Sequence, residues 1–348
     1  MSKINNSADF RSDTFTLPDQ GMREAIFKAE VGNAGYGEDP SVNKLEEKLA
    51  GFFGCDEAIF LPSATMAGQI AISAWARPGD MVLIEEFGHS YYFETGAMSA
   101  IAGAQAHLLT GKKGILAAED IAVRIKHPEN HYARTGLIIL ENSSNFGGGT
   151  IYPEQTLNDI FTLANQHSVP VHIDGARIWN VLAARDYKAS SLMPASGSMS
   201  ICFSKGLGAP MGAALLGNKE FIHEARKIQL MLGGVMRQIG FMAAAADYAF
   251  ENKRERLTED HENALYLAKG LADSVALDID IESVQTNMVY ARVLAGSDQA
   301  ARFVRLLDER GVHCLNVGAL IRFVTSTLVD HNDCTKAIEV FHELLSRD

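Results

Sequence analysis

The chain has 348 residues, a length that suits two domains or one large domain with an appendage. It is 47% apolar and 21% charged, ordinary for a globular protein, and its net charge of −12 argues against nucleic acid or an anionic membrane as a partner. The longest apolar runs are far too short to cross a bilayer, and the N-terminus carries no apolar signal segment.

In chain order, SVNKLEEKLAGFFG has helical spacing, with Ser41 as its expected N-cap. DEAIFLPS reads as a strand running into a turn, and TMAGQIAISAWA as the next helix. GDMVLIEE is a strand, AEDIAVRIKH a helix, TGLIILEN a strand and EQTLNDIFTLANQH a helix. VPVHIDGAR and MSICFSK are strands again. These strands are continuous apolar runs, which suits a parallel sheet covered on both faces. The rhythm predicts an α/β fold with a mostly parallel central sheet and ligands at the carboxyl ends of its strands. After about residue 250 come a polar amphipathic helix, TNMVYARV, SDQAARFVRLLDERG, ALIRFVTS and DCTKAIEVFHELLSR. That order predicts a small α+β domain over residues 253–348, after a large domain and N-terminal segment over 1–252. The four widely spaced cysteines read as free thiols of a reducing compartment, hence the cytoplasm. The eleven histidines show no metal-binding spacing, so no metal is expected.

Three polar residues stand at strand exits: His89, Asp174 and Lys205. Each has a plain structural reading: a satisfied histidine, a helix N-cap, a lysine reaching solvent. Together, Asp174 and Lys205 on neighbouring strands would share one crevice. A lysine that bonds an aldehyde and a carboxylate that pairs with a pyridine nitrogen are what a pyridoxal phosphate enzyme needs. His89 can stack on the ring. LPSATMAG offers a helix N-terminus for a phosphate. Arg237, in GGVMRQIG, offers a forked donor to the same group. Gly206 and Gly208 beside the lysine keep bulk away from a flat ligand.

An ordered series of motifs resembles the threonine aldolase group of pyridoxal phosphate enzymes, with the aminotransferase-like fold. It runs through RSDT (11–14), YGEDPSVNKLE (36–46), LPSAT (61–65), HSYYFETGA (89–97), HYART (131–135), ILENSSN (139–145), HIDGARIWN (172–180), SKGLGAPMG (204–212), GGVMRQIG (233–240) and LIRFVTS (320–326). The resemblance implies that Lys205 carries the cofactor, Asp174 pairs its pyridine nitrogen, His89 stacks on it, and Ala64 and Thr65 form the phosphate turn. Arg177 would border cofactor and substrate. Ser12, Arg177 and Arg322 would hold the substrate carboxylate. Tyr36 and His131 would lie near the substrate side chain, with His131 as a base for the hydroxyl proton. Arg237 would approach the phosphate across a subunit interface, implying a homodimer or a dimer of dimers, that is a homotetramer. The implied reaction cleaves L-threonine, L-allo-threonine and related β-hydroxy amino acids to glycine and an aldehyde. The alternative is another lyase on the same scaffold, β-eliminating or acting on phenylserine. The family's Thr-His-Asn triplet is replaced here by Ser143-Ser144-Asn145.

Overall fold

The computed structural model describes residues 7–126 and 131–346. Its strands are β1 (Ala8–Asp9), β2 (Glu57–Leu61), β3 (Met81–Glu85), β4 (Gln105–Leu109), β5 (Thr135–Glu141), β6 (Val171–Gly175), β7 (Gly197–Cys202) and β8 (Ala213–Gly217). The C-terminal part adds β9 (Leu277–Asp278), β10 (Met288–Val293), β11 (Val312–His313), β12 (Leu315–Val317) and β13 (Leu320–Val324).

Seven strands form the central sheet in the order β2-β8-β7-β6-β5-β3-β4. Strand β8 is antiparallel to both neighbours and the other adjacent pairs are parallel. Alternate residues of each strand feed opposite layers. Ala58, Phe60, Ile138, Leu140, Ala214 and Leu216 join one core with the helices Pro40–Phe53 and Glu154–Gln166. Ile59, Leu61, Ala213 and Leu215 pack on the helices Ala64–Trp75 and Lys219–Met231 on the other face, and Leu137 and Ile139 join a neighbouring cluster there. Burial of both faces explains the continuous apolar strands. The chain moves outward from β3 to β4 and returns to the far side of β3 at β5. That reversal opens a crevice at the carboxyl ends of β3 and β5.

The small domain pairs β12-β13-β10-β9 antiparallel, with helices Ser297–Asp308 and His331–Leu345 on its core. Helix Leu257–Ala272 straddles the two domains: Leu257 lies in the large core, while Ala264, Leu267 and Leu271 lie in the small one. The N-terminal segment, expected with the large domain, sends Ala8 and Phe10 into the small core instead. Strand β1 pairs in parallel with β11, and Val324 N–H donates to Phe10 O at 2.8 Å.

Two local expectations change. Asp39, not Ser41, caps the helix Pro40–Phe53, accepting Val42 N–H at 3.2 Å. Proline takes the first helical position, where its missing N–H costs nothing, so Ser41 is one residue inside and bonds Glu30 O at 2.6 Å. The helix expected over residues 118–127 runs Ala118–Ala122 among the described residues, and His127 lies outside them.

Candidate active site

A cavity of about 430 Å³ lies at the carboxyl ends of β3, β5, β6 and β7, closed on its other side by the small domain. Ser12, His89, Arg177, Lys205 and Arg322 line it, together with Asn145, Phe146 and Tyr290.

Lys205 follows β7 at a bend where Gly208 N–H returns to Lys205 O at 2.9 Å. Thr16 Oγ1 donates to the same carbonyl at 2.8 Å, so the N-terminal segment pins the lysine's backbone. Among the described residues no carboxylate pairs with the Lys205 ammonium. The flanking glycines serve another purpose than the one expected. Gly208 has φ +78°, in the left-handed region. A Cβ on Gly206 would stand 2.8 Å from Leu257 Cδ2, so this glycine admits the straddling helix.

Asp174, on β6, is in register with Glu141 on β5 and Ser200 on β7. It is buried, and its Oδ1 accepts Ala176 N–H at 3.1 Å. Behind it His172 is fully buried between the Ser198 and Ser200 hydroxyls, and burial pushes its pKa down to about 4, so it is neutral.

His89 opens a short helix directly after β3. With a proton on Nδ1 it donates to Glu94 Oε1 at 2.9 Å, which leaves Nε2 unspent. Gln69 Nε2 donates to the other oxygen of Glu94 at 2.6 Å. The hydrogen bond to Glu94 raises the His89 pKa against the opposing effect of burial, and the charges of Asp174 and Glu141 add to the rise. Glu141, at the end of β5, accepts the backbone N–H groups of His89 at 2.9 Å and Asn145 at 2.8 Å. One carboxylate thereby fixes the loops after two adjacent strands, and burial raises its pKa.

The two cavity arginines differ. Arg177, just past β6, gives Nε and Nη2 to Asp13 at 2.8 and 2.7 Å. Burial alone would raise the Asp13 pKa, but the guanidinium overrides it and holds the carboxyl at about 2. That bidentate grip uses two of Arg177's five N–H groups. Arg322, on β13, donates to neutral groups: Arg11 O at 3.2 Å, Asn145 Oδ1 at 3.1 Å and the Tyr290 hydroxyl. Its Nε is buried with no partner, and burial pulls its pKa down. A buried guanidinium that faces a cavity and has no carboxylate partner can receive an anion.

A profile described as beta-eliminating lyase matches residues 9–294. The low specificity L-threonine aldolase of Escherichia coli (strain K12) is 35% identical over 340 residues, covering 97% of this chain and 99% of that one. The chain belongs to the threonine aldolase group of the beta-eliminating lyase family. Leishmania major threonine aldolase superposes with a TM-score of 0.84 at 20% identity, covering 97% of this chain and 99% of that one. Aspartate aminotransferase from Thermus thermophilus superposes with a TM-score of 0.72 at 17% identity, covering 97% and 92%. Both likenesses bear out the aminotransferase-like fold read from the motifs.

Of the family positions expected from the sequence, Ser12, His89, Arg177, Lys205 and Arg322 meet in the cavity. Asp174 stands at the adjoining strand end, and its charge acts on His89. Ala64 and Thr65 begin the helix Ala64–Trp75 after β2, on the same edge of the sheet, behind an N-cap from Ser63 to Met66 N–H. Three positions lie elsewhere. Tyr36 and Arg237 share a separate cavity of about 640 Å³ with Glu46 and Arg226. His131 is exposed and precedes β5. It therefore stands at the amino end of a strand whose carboxyl end makes the site, about 20 Å away along seven residues. Ser144, in the place of the family's histidine, turns its hydroxyl into the local turn and accepts Gly147 N–H at 3.1 Å.

Taken singly, Asp13, Glu94 and Glu141 carry little signal of a role in the sequence. All three sit inside the motifs RSDT, HSYYFETGA and ILENSSN. A buried-charge argument could have flagged Glu141, a carboxylate closing an apolar strand. Nothing local pairs Asp13 with Arg177, 164 residues away.

Proposed function

We propose that this cavity binds a β-hydroxy amino acid and cleaves its Cα–Cβ bond, releasing glycine and an aldehyde. L-Threonine and L-allo-threonine are the first substrates to try. The observation that carries the reading is Arg322: a buried guanidinium without a carboxylate partner, facing the same cavity as Arg177, Lys205 and His89.

Pyridoxal phosphate is the cofactor of this family, and the residues present fit it. Lys205 is the amine on the cavity wall that can attach its aldehyde. Asp174 can hold the proton of a pyridine nitrogen, His89 offers a flat ring, and the open N–H groups at Ala64 and Thr65 suit a phosphate. Bound there, the cofactor supplies an electron sink for the pair left when a bond at Cα breaks.

The chain's own residues supply orientation and proton transfer. Arg177, Arg322 and Ser12 hold the substrate carboxylate, which fixes the rotation that selects the bond to be broken. His89 Nε2 takes the β-hydroxyl proton, with Glu94 holding the ring and stabilising its charged form. It is the one imidazole on the cavity wall among the described residues. Phe146, stacked 5.6 Å from Phe93, gives the wall for the departing aldehyde.

A β-eliminating reaction is the second reading. What favours it is Ser144, whose hydroxyl is committed to a turn where the family carries an imidazole. A homo-oligomer, dimer or dimer of dimers, belongs to the same proposal. It is supported by Tyr36 and Arg237 standing outside this cavity amid exposed Leu230 and Met236. A cytoplasmic location is supported by four free cysteines. Among the described residues no helix is long and apolar enough to cross a membrane.

The test is product identity. With L-threonine, glycine and acetaldehyde are expected in equal amounts, the aldehyde read by coupled reduction with alcohol dehydrogenase. Pyruvate and ammonia from L-serine, with no acetaldehyde from threonine, would sink the aldolase reading and support elimination.

A further inference from the structure

Arg177's donors at Nε and Nη2 are spent on a protein carboxylate, so whatever fixes Asp13 also fixes Arg177. Two contacts set Asp13. Thr16 Oγ1 bridges Asp13 O at 3.0 Å and Lys205 O at 2.8 Å. On the other side Asn287 Nδ2 donates to Asp13 Oδ2 at 3.3 Å and to Thr325 O at 3.0 Å.

Asn287 is fully buried, and its Oδ1 is buried with no partner. A buried amide with one end unsatisfied carries a cost, which its donor end must offset. That donor adds a third hydrogen bond to a carboxylate already held by a guanidinium, so neutralising Asp13 is not its use. Its position is informative. Asn287 immediately precedes β10, and Thr325 immediately follows β13, the strand that carries Arg322. Thr325 N–H donates to Asn287 O at 3.0 Å, so the two strand ends are tied together. Arg322 in turn donates to Arg11 O, two residues before Asp13. The N-terminal segment thus runs between the arginines, bonded to one through a side chain and to the other through its backbone.

We propose that Asn287 is a positioning residue for carboxylate recognition: through Asp13 it locks the large-domain Arg177 to the small-domain strand pair that carries Arg322, so the two guanidiniums act as one clamp. This rests on the reading of the cavity as the site for an amino-acid carboxylate. A side chain serving only the fold would lower stability without acting selectively on substrate affinity. A residue that positions the clamp acts mainly on KM, and lowers kcat only as far as the loosened clamp loses its hold on the rotation about Cα.

The experiment is steady-state cleavage of L-threonine by the cofactor-loaded enzyme and its Asn287→Ala and Asn287→Asp variants. Asn287→Ala is expected to raise KM about tenfold or more, the scale of a lost hydrogen bond to a charged group, with kcat within about threefold. The cofactor absorbance should be unchanged. Asn287→Asp gives a sharper readout. Its carboxyl donates to Asp13 when protonated and repels it when ionised, so KM relative to wild type should climb as pH rises. A fall in kcat at unchanged KM in Asn287→Ala, or no change in either, overturns the positioning role. If Asn287→Ala does not fold, Asn287→Asp decides, and a pH-independent KM ratio overturns the proposal. A wild-type enzyme that cleaves no β-hydroxy amino acid refutes the underlying functional reading instead.

Discussion

His89 shows how one side chain's chemistry is set by residues that do not line the cavity. Its ring lies on the cavity wall, Glu94 fixes the protonated nitrogen, and Gln69 fixes Glu94. For His89 as the proposed base, the hydrogen bond to Glu94 that raises its pKa holds back the neutral form at low pH. Glu94→Gln keeps the shape and removes the charge, so the His89 pKa should fall. The acidic limb of the kcat/KM profile is then expected to shift to lower pH. An unmoved limb would mean that His89 is not the titrating base. The sequence showed Lys205, Asp174 and His89 because each is a polar group ending an apolar run. It hid Glu94, five residues beyond His89 and unremarkable in a polar loop. It also suggested the wrong reason for Gly206, since the contact with Leu257 depends on the fold.

At the scale of elements, the turn after β5 ties the site to the small domain. Gly148 and Gly149 both have positive φ, +86° and +81°. A Cβ on Gly149 would stand 2.1 Å from Thr286 Oγ1, whereas at Gly148 the nearest atom is Tyr290 Cδ2 at 3.6 Å. Thr286 also donates to Gly149 O at 3.0 Å, one residue before Asn287. Gly148→Ala should therefore cost about 1 kcal/mol, the left-handed penalty alone. Gly149→Ala should cost about 3 kcal/mol, because overpacking adds to it. Urea unfolding of the two variants separates the contributions, and equal losses would dissolve the claimed contact. Strand existence and order of type were legible from continuous apolar runs bounded by turns. His131 precedes β5, whereas the site lies beyond the carboxyl end of that strand. Ser41 begins the apolar spacing and so reads as the cap, yet proline at the first helical position moves the cap back to Asp39.

The whole molecule is a large domain with a core on each face of its sheet and a small domain with its own core, joined by a helix and by the N-terminal segment. The rhythm change near residue 250 revealed the second domain. The membership of Ala8 and Phe10 in that domain was not legible, because strand β1 is two residues long and its partner β11 lies some 300 positions away. That long-range pairing brings Ser12 and Asp13 to the crevice, and so completes a site assembled from both ends of the chain. The central claim is that this crevice holds pyridoxal phosphate on Lys205. Borohydride reduction of the loaded enzyme, followed by peptide mass mapping, tests it most directly. The expected result is a single pyridoxyl group on the peptide containing Lys205, lost in Lys205→Ala together with the yellow colour. A label on another lysine, or colour retained by Lys205→Ala, would contradict the account.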